Sequence, residues 1–105
     1  MSQSTTRRYT ASSSGNNTLI SVSATQYLIV KQLRVSPEAT ITGEVKLLVG
    51  TTELGGVRNP VIGGGHTVVD NGDDGEKFPS GDDLIVNLPD TTAVTVTATY
   101  VLEDE

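Results

Sequence analysis

Residues 93–102 read AVTVTATYVL, and this stretch decides the fold class. Every second position holds an apolar or aromatic side chain: Val94, Val96, Ala98, Tyr100 and Leu102. Successive side chains of a β-strand point to opposite faces, so a period of two indicates a strand with one buried face. We therefore predict a closing strand whose alternate residues face the interior.

Earlier stretches repeat this pattern. Residues 41–49 (ITGEVKLLV) alternate so that four side chains face inward: Ile41, Val45, Leu47 and Val49. Residues 27–35 (YLIVKQLRV) are predicted to place three on one face: Ile29, Leu33 and Val35. Further short runs lie at 18–23, 53–57, 66–70 and 83–88, and turn residues such as Gly50 separate them.

Seven or eight short strands at roughly ten-residue spacing are typical of a two-sheet antiparallel fold. Thr, Val and Ile supply 33 of the 105 residues, and β-branched side chains pack well on a pleated surface. A parallel sheet would need crossover helices, which the sequence does not predict. We expect an all-β chain that forms a single antiparallel β-sandwich, jelly-roll-like in form, with an extended N-terminal arm.

The arm covers residues 1–17 (MSQSTTRRYTASSSGNN), which contain little that a core could bury. Such a segment cannot by itself offset the entropy of ordering, so it is either a frayed terminus or is held by a partner. The predicted organisation is therefore an extended or flexible arm over 1–17 and a β-sandwich domain over 18–105. If a partner holds the arm, Arg7 and Arg8 are its charge anchors and Tyr9 is its apolar contact.

The charges divide unevenly along the chain. Residues 1–37 carry four basic and no acidic side chains, whereas residues 38–105 carry three basic and thirteen acidic ones, which together give the net charge of −6. Phosphate contacts need clustered Lys and Arg, so this acidic body argues against binding to nucleic acid or to an anionic membrane. The basic first third is expected to pair with an acidic surface on a neighbouring subunit.

Chemistry-bearing residues are scarce. The chain has no Cys and one His, and no Ser or carboxylate near His66 stands in the spacing of a nucleophile elbow. No stretch approaches the length of a membrane span, and the polar start Met1–Ser4 lacks the apolar region of a secretory signal. We expect a protein of aqueous compartments that is not an enzyme and uses no cofactor.

One loop has the oxygen density of a calcium site. It contains four carboxylates: Asp70, Asp73, Asp74 and Glu76. Against the EF-hand pattern, Gly72 falls at the third position and Gly81 at the twelfth, where a bidentate Glu is required, so that match fails. A solvated acidic turn is the preferred interpretation, and a calcium loop of another kind stays open as a weak alternative.

The order of these segments resembles small structural proteins of tailed bacteriophages. The resemblance covers about residues 16–102 and includes, in order, 17–20 (NTLI), 33–35 (LRV), 41–47 (ITGEVKL), a glycine-rich loop, 78–88 (FPSGDDLIVNL) and 94–101. The acidic loop at 70–76 and the aromatic-poor region around Gly81 depart from the family pattern.

The resemblance implies a virion protein, specifically a capsid decoration or cement protein that binds the assembled head and stabilises it. It implies the major capsid protein as partner, self-association as a homotrimer, synthesis in the host cytoplasm and a final place on the capsid surface. Residues 2–17 would then mediate attachment or exchange between subunits. Two alternatives stay open: a receptor- or carbohydrate-binding module of a tail appendage, and a surface-layer β-sandwich stabilised by calcium.

Overall fold

The computed structural model describes residues 4–62 and 65–105, and β-strands make up most of them. In chain order the strands are β1 (Thr5–Ala11), β2 (Gly15–Ile20), β3 (Gln26–Pro37), β4 (Glu44–Val49), β5 (Thr52–Arg58), β6 (His66–Asp70), β7 (Glu76–Lys77), β8 (Leu84–Leu88) and β9 (Val94–Asp104). Within these described ranges, no helix is long and apolar enough to cross a membrane.

The strands form two antiparallel sheets. Sheet A joins β1, β9, β3 and β6 in that order, and the short strand β7 also pairs with β3. Sheet B joins β2, β8, β4 and β5. The prediction of an all-β chain with two antiparallel sheets in a sandwich-like arrangement is therefore confirmed.

The core lies between the two sheets and receives alternate residues from their central strands. Its largest fully buried side chains are Leu28, Leu33, Ile41, Leu47, Leu84, Leu88, Val30, Val35, Val45, Val49, Val86 and Val94. No polar or charged residue among those described is buried, so burial of apolar surface is the main stabilising term. The predicted inward faces of β4 and β9 are confirmed, with Leu102 packed against the edge of the core.

The predicted face of β3 is wrong in its first half. Leu28 and Val30 are buried, whereas Ile29 lies on the opposite face, where it is only half-buried. The pairing of β3 with β9 shifts by one residue between Val30 and Gln32. A β-bulge of this kind places two residues against one and reverses the alternation, which a simple period of two cannot anticipate.

Part of the segment expected to form an arm over residues 1–17 pairs with the sheets of the sandwich. Residues 5–11 form the edge strand β1, which pairs with β9 from Thr5 opposite Tyr100 to Ala11 opposite Val94. Ala11 is buried, and β2 already begins at Gly15. Main-chain hydrogen bonds to β9 hold this segment in the sheet, although its polar side chains offer little apolar surface to bury. The segment is extended as expected, but most of it belongs to the sandwich.

Close packing at one side of the sandwich positions the loop between β5 and β6. A Cβ atom on Gly55 of β5 would lie 3.1 Å from the Cγ1 atom of Val68 on β6, so glycine allows these two strands to approach. The loop that follows β5 therefore returns to sheet A directly beside the end of β3, where β6 begins opposite Val35.

Candidate functional site

The outer face of sheet A carries short hydroxyl side chains on its two central strands. Thr95 and Thr97 alternate with the buried valines of β9, so their side chains point away from the core. Ser36 of β3 lies opposite Thr95, as does Thr10 of β1. Small side chains here leave room above the sheet and form the floor of an open groove.

Two arginines stand on either side of this floor. Arg8 of β1 and Arg34 of β3 are both paired with Thr97 of β9, so they occupy one row across the sheet. Their Cα atoms are two strand spacings apart, which is about 10 Å. The groove has a volume of about 440 Å³, and no carboxylate lines it. We call this feature, lined by Arg8, Arg34, Val35, Ser36, Gly65, Thr95 and Thr97, the arginine groove.

Gly65 holds one wall of the arginine groove close to Arg34. A Cβ atom at this position would lie 3.0 Å from a terminal nitrogen of the Arg34 guanidinium and 3.3 Å from its central carbon. The glycine thus lets the planar guanidinium lie against the main chain. This contact limits the positions that an otherwise exposed arginine side chain can adopt.

Neither groove arginine is neutralised within the part of the chain that the structure describes. The ion pairs found there join Lys46 to Glu44 and Lys77 to Glu103, both away from the groove. The Cα atoms of Arg8 and Arg34 are about 10 Å apart, and two unit charges at such a distance repel by only about 0.4 kcal/mol in water. An anion placed between them would interact with both, and guanidinium groups bind carboxylates through paired, charge-assisted hydrogen bonds.

Carboxylates lie at both ends of the molecule, whose longest dimension is 39 Å, and Glu38 lines a cleft next to the groove together with Ser36 and Thr95. The arginine groove lies towards the end of the sandwich where β9 begins. The opposite end, where β9 finishes and β8 begins, carries a group of carboxylates: Asp82, Asp83, Glu103, Asp104 and Glu105. The groove is therefore a basic feature of an acidic protein.

The structure separates the three residues predicted as one contact. Arg8 points outward into the groove, whereas Arg7 and Tyr9 are paired with Ala98 and Val96 and lie on the inner side of the edge strand. Strand alternation is the cause, because neighbouring residues of β1 must face opposite ways. Of the predicted trio, only Arg8 contributes to the groove.

Tyr9 instead anchors β1 to the sandwich. Its side chain packs against the core, and its hydroxyl lies 2.8 Å from the hydroxyl of Tyr100, a residue that is only 6% exposed. Burial, and then the hydrogen bond with Tyr100, raises the pKa of Tyr9 to about 12, while the nearby charge of Arg7 acts in the opposite direction.

The aromatic rings outside the groove pack against other parts of the protein. Phe78 and Tyr100 are buried, and the amino group of Lys77 lies 4.2 Å from the ring centre of Tyr27. The arginine groove itself has no aromatic side chain in its lining.

The acidic loop does not assemble as a metal site. Over residues 4–62 and 65–105, no three His, Cys, Asp or Glu side chains come together in a group that could hold a metal ion. A carboxylate oxygen of Asp70 accepts a hydrogen bond of 3.1 Å from the main-chain N–H of Gly72, as expected for an acidic turn. The calcium interpretation of Asp70, Asp73, Asp74 and Glu76 therefore has no geometric support.

An exposed apolar pair lies in the loop that follows β5. Val61 and Ile62 are 53% and 61% exposed, and they are the exposed large hydrophobic residues of the described chain. We call this pair the apolar tip. It belongs to the loop that continues to Gly65, part of which lies outside the described residues.

The base of the apolar tip is firmly attached. Asn59 and Gly43 are joined by two hydrogen bonds, because each main-chain N–H donates to an oxygen of the other residue at 2.6 and 2.7 Å. Pro60 is buried, and its carbonyl accepts a hydrogen bond of 3.1 Å from Ile41. A ring nitrogen of His66 lies 3.4 Å from the carbonyl oxygen of Val61.

No protein-family model, curated protein or solved structure matches this chain. The site therefore rests on the geometry of its own residues. The alternation predicted for residues 93–102 and for Leu33 and Val35 implies outward positions for Thr95, Thr97 and Arg34. What it could not supply was the strand order β1-β9-β3, which brings Arg8 and Arg34 into one row.

Proposed function

We propose that the protein is a structural component of a tailed-bacteriophage virion, a decoration or cement protein that binds the major capsid protein on the assembled head and stabilises it. It works without catalysis, cofactor, nucleic acid or membrane, and it is made in the host cytoplasm before it joins the capsid surface. The arginine groove carries this proposal, because it presents two positive charges that the described chain leaves without an ionic partner.

The strand order supports a jelly-roll form of the sandwich. Sheet A reads first, last, third and sixth strand, and sheet B reads second, eighth, fourth and fifth. If β6 and β7 are counted as one interrupted strand, this is the order of two interleaved Greek keys in an eight-stranded jelly roll. Viral capsid proteins and lectins both use this architecture, so the order favours a binding or structural role without choosing between them.

The charges favour attachment to an acidic protein surface. Each guanidinium that becomes desolvated in a charge-assisted contact contributes roughly 1.5–3 kcal/mol. Two such contacts lower the dissociation constant by about two orders of magnitude or more, since every 1.4 kcal/mol corresponds to a factor of ten. A homotrimer would engage three capsid sites at once and multiply this effect.

The proposal is tested on heads of the encoding virus that have been prepared without this protein. Purified wild-type chain and the Arg8→Ala/Arg34→Ala variant are added, and bound protein is measured after the heads are sedimented. We expect saturable binding of the wild type, higher thermal stability of the decorated heads and strongly reduced occupancy by the variant. Failure of the wild type to sediment with the heads would refute the attachment role, and a monomer in sedimentation both free and on heads would refute the trimer.

A receptor- or carbohydrate-binding module of a tail appendage is the second candidate, because lectins also adopt the jelly roll. The polar floor of the groove could donate hydrogen bonds to sugar hydroxyls. However, the groove lining contains no aromatic ring on which a sugar could stack. Binding to a glycan array that disappears in the Thr97→Val variant would favour this candidate over capsid decoration.

A further inference from the structure

The arginine groove continues into a second cleft along β3. This cleft has a volume of about 290 Å³ and is lined by Thr10, Ser36, Pro37, Glu38, Ala93 and Thr95. Ser36 and Thr95 line both the groove and the cleft, so the two share one floor. We call the arginine groove and this cleft together the charged channel.

The two ends of the charged channel carry opposite charges. Arg34 and Ser36 occupy alternate positions of β3, and Glu38 follows directly after the strand, so the three side chains lie along one face. The main chain is still paired at Glu38, whose N–H donates a hydrogen bond of 2.9 Å to the carbonyl oxygen of Ala93. Four residues of extended chain place the Cα atoms of Arg34 and Glu38 about 13 Å apart.

The charges at both ends are available to a ligand. Glu38, like Arg8 and Arg34, is exposed and has no ionic partner within residues 4–62 and 65–105. The floor between the two ends is formed by the hydroxyl side chains of Ser36 and Thr95, which can donate and accept hydrogen bonds. The channel therefore offers a positive end, a hydrogen-bonding floor and a negative end in one line.

We propose that the charged channel binds an extended segment of the partner protein that carries an acidic and a basic residue four positions apart. The inference rests on the proposed attachment role of the groove and specifies the chemistry of its occupant. The carboxylate pairs with Arg8 and Arg34, and the basic group pairs with Glu38. The main chain between them forms hydrogen bonds with the hydroxyl groups of the floor.

The spacing of the charges distinguishes this occupant from others. In an extended chain, residues four positions apart point to the same side and lie about 13 Å apart, which matches the separation of Arg34 and Glu38. A helix brings such residues to about 6 Å from each other, so a helical segment would reach one end only. A purely acidic segment would place a carboxylate against Glu38, and a free inorganic anion would use the arginines alone.

The test uses the full chain and a displayed library of random dodecapeptides. We expect the wild type to select peptides with an acidic and a basic residue four positions apart. The Glu38→Lys variant should instead select acidic residues at both positions, because the charge at that end is reversed. The Arg8→Ala/Arg34→Ala variant should lose the acidic position and keep the basic one. These side chains are exposed, so the variants should fold normally.

The matched control is the Glu53→Lys variant. Glu53 is an exposed carboxylate on β5 of the other sheet, so its replacement changes the net charge by the same amount at a distant place. This variant should select the same peptides as the wild type.

Affinity for one peptide selected by the wild type gives the magnitude. The Glu38→Gln variant should bind it about two- to fivefold more weakly, as expected for the loss of one exposed ion pair, while Glu53→Gln should bind as the wild type does. Moving the basic residue of the peptide by one position should cause a similar loss, because its side chain would then face away from Glu38.

The outcomes separate this inference from the proposed function. Selection of acidic peptides without a basic position would overturn the inference while leaving the groove as an attachment site. Association of the free chain that is lost in the Glu38→Lys variant would also overturn it, since a second copy would then fill the channel. Loss of head binding in the Arg8→Ala/Arg34→Ala variant, measured separately, would still uphold the attachment role.

Discussion

Removing the hydroxyl of Tyr9 tests whether the first strand is docked as described. The Tyr9 and Tyr100 hydroxyls lie 2.8 Å apart, and Tyr100 is 6% exposed, so the Tyr9→Phe variant leaves a nearly buried hydroxyl without its partner. A lost hydrogen bond of this kind costs about 1 kcal/mol of the free energy of unfolding. For 105 residues the unfolding entropy is about 0.2 kcal/mol per kelvin, so the melting temperature should fall by about 4–5 °C.

The assay is a double-mutant cycle measured by thermal and urea unfolding. The Tyr9→Phe and Tyr100→Phe variants should each be destabilised, and the double variant should lose less than the sum because the same hydrogen bond cannot be removed twice. Effects that add within about 0.3–0.5 kcal/mol would refute the reasoning, since they would mean that the two hydroxyls do not meet. A free N-terminal arm would give that result.

The same pair predicts how stability changes at alkaline pH. Burial raises the pKa of Tyr9 to about 12 in the folded protein, from 10.0 for an unperturbed tyrosine. The folded state therefore holds this proton more tightly than the unfolded state, and the stabilisation is complete below pH 10 and is lost as the pH rises through about 12. The Tyr9→Phe variant should lose less stability over this interval, as measured by urea unfolding at each pH.

Three further predictions concern the core, a turn and the acidic loop. The Leu33→Ala variant removes a fully buried side chain and should lower the free energy of unfolding by about 2–5 kcal/mol in urea. The Gly75→Ala variant should be clearly less stable than Gly72→Ala in the same assay. Both glycines have φ near +70°, so the backbone strain of the substitution is similar at the two positions. At position 75 the new Cβ would also lie 2.8 Å from a methyl carbon of Ile29, whereas no atom lies near position 72. Equal losses of stability in the two variants would contradict this packing. Calcium or a chelator should leave the melting temperature unchanged, and a rise with calcium would restore the metal interpretation of residues 70–76.

The sequence predicted those parts of the fold that depend on one strand at a time. The threonines of β9 alternate with Val94, Val96 and Ala98, so the faces of that strand were predicted correctly as far as Tyr100. At its end the alternation fails, because Val101 is buried and Leu102 only partly so. In β3 the bulge after Val30 reversed the pattern, and Ile29 was assigned to the wrong face. No residue in that run marks the bulge, because it arises from pairing with β9.

The candidate site depends on contacts between distant strands and was predicted only in part. Arg8 was named from the sequence, but it was grouped with Arg7 and Tyr9 because residues 1–17 were expected to lie outside the sandwich. The polar side chains of β1 did not predict an edge strand. Main-chain hydrogen bonds to β9 and the hydrogen bond between Tyr9 and Tyr100 hold this strand in the sheet. Arg34 became part of the site only through strand order.

Neighbouring arginines on opposite faces of β1 provide the most direct test of the central claim. Binding of the Arg8→Ala and Arg7→Ala variants to undecorated heads is measured side by side with the wild type. The Arg8→Ala variant should bind at least about tenfold more weakly, because one charge-assisted contact is lost, while Arg7→Ala should bind as the wild type does. Equal weakening of both variants, or a larger effect at Arg7, would contradict the assignment of the arginine groove as the attachment surface.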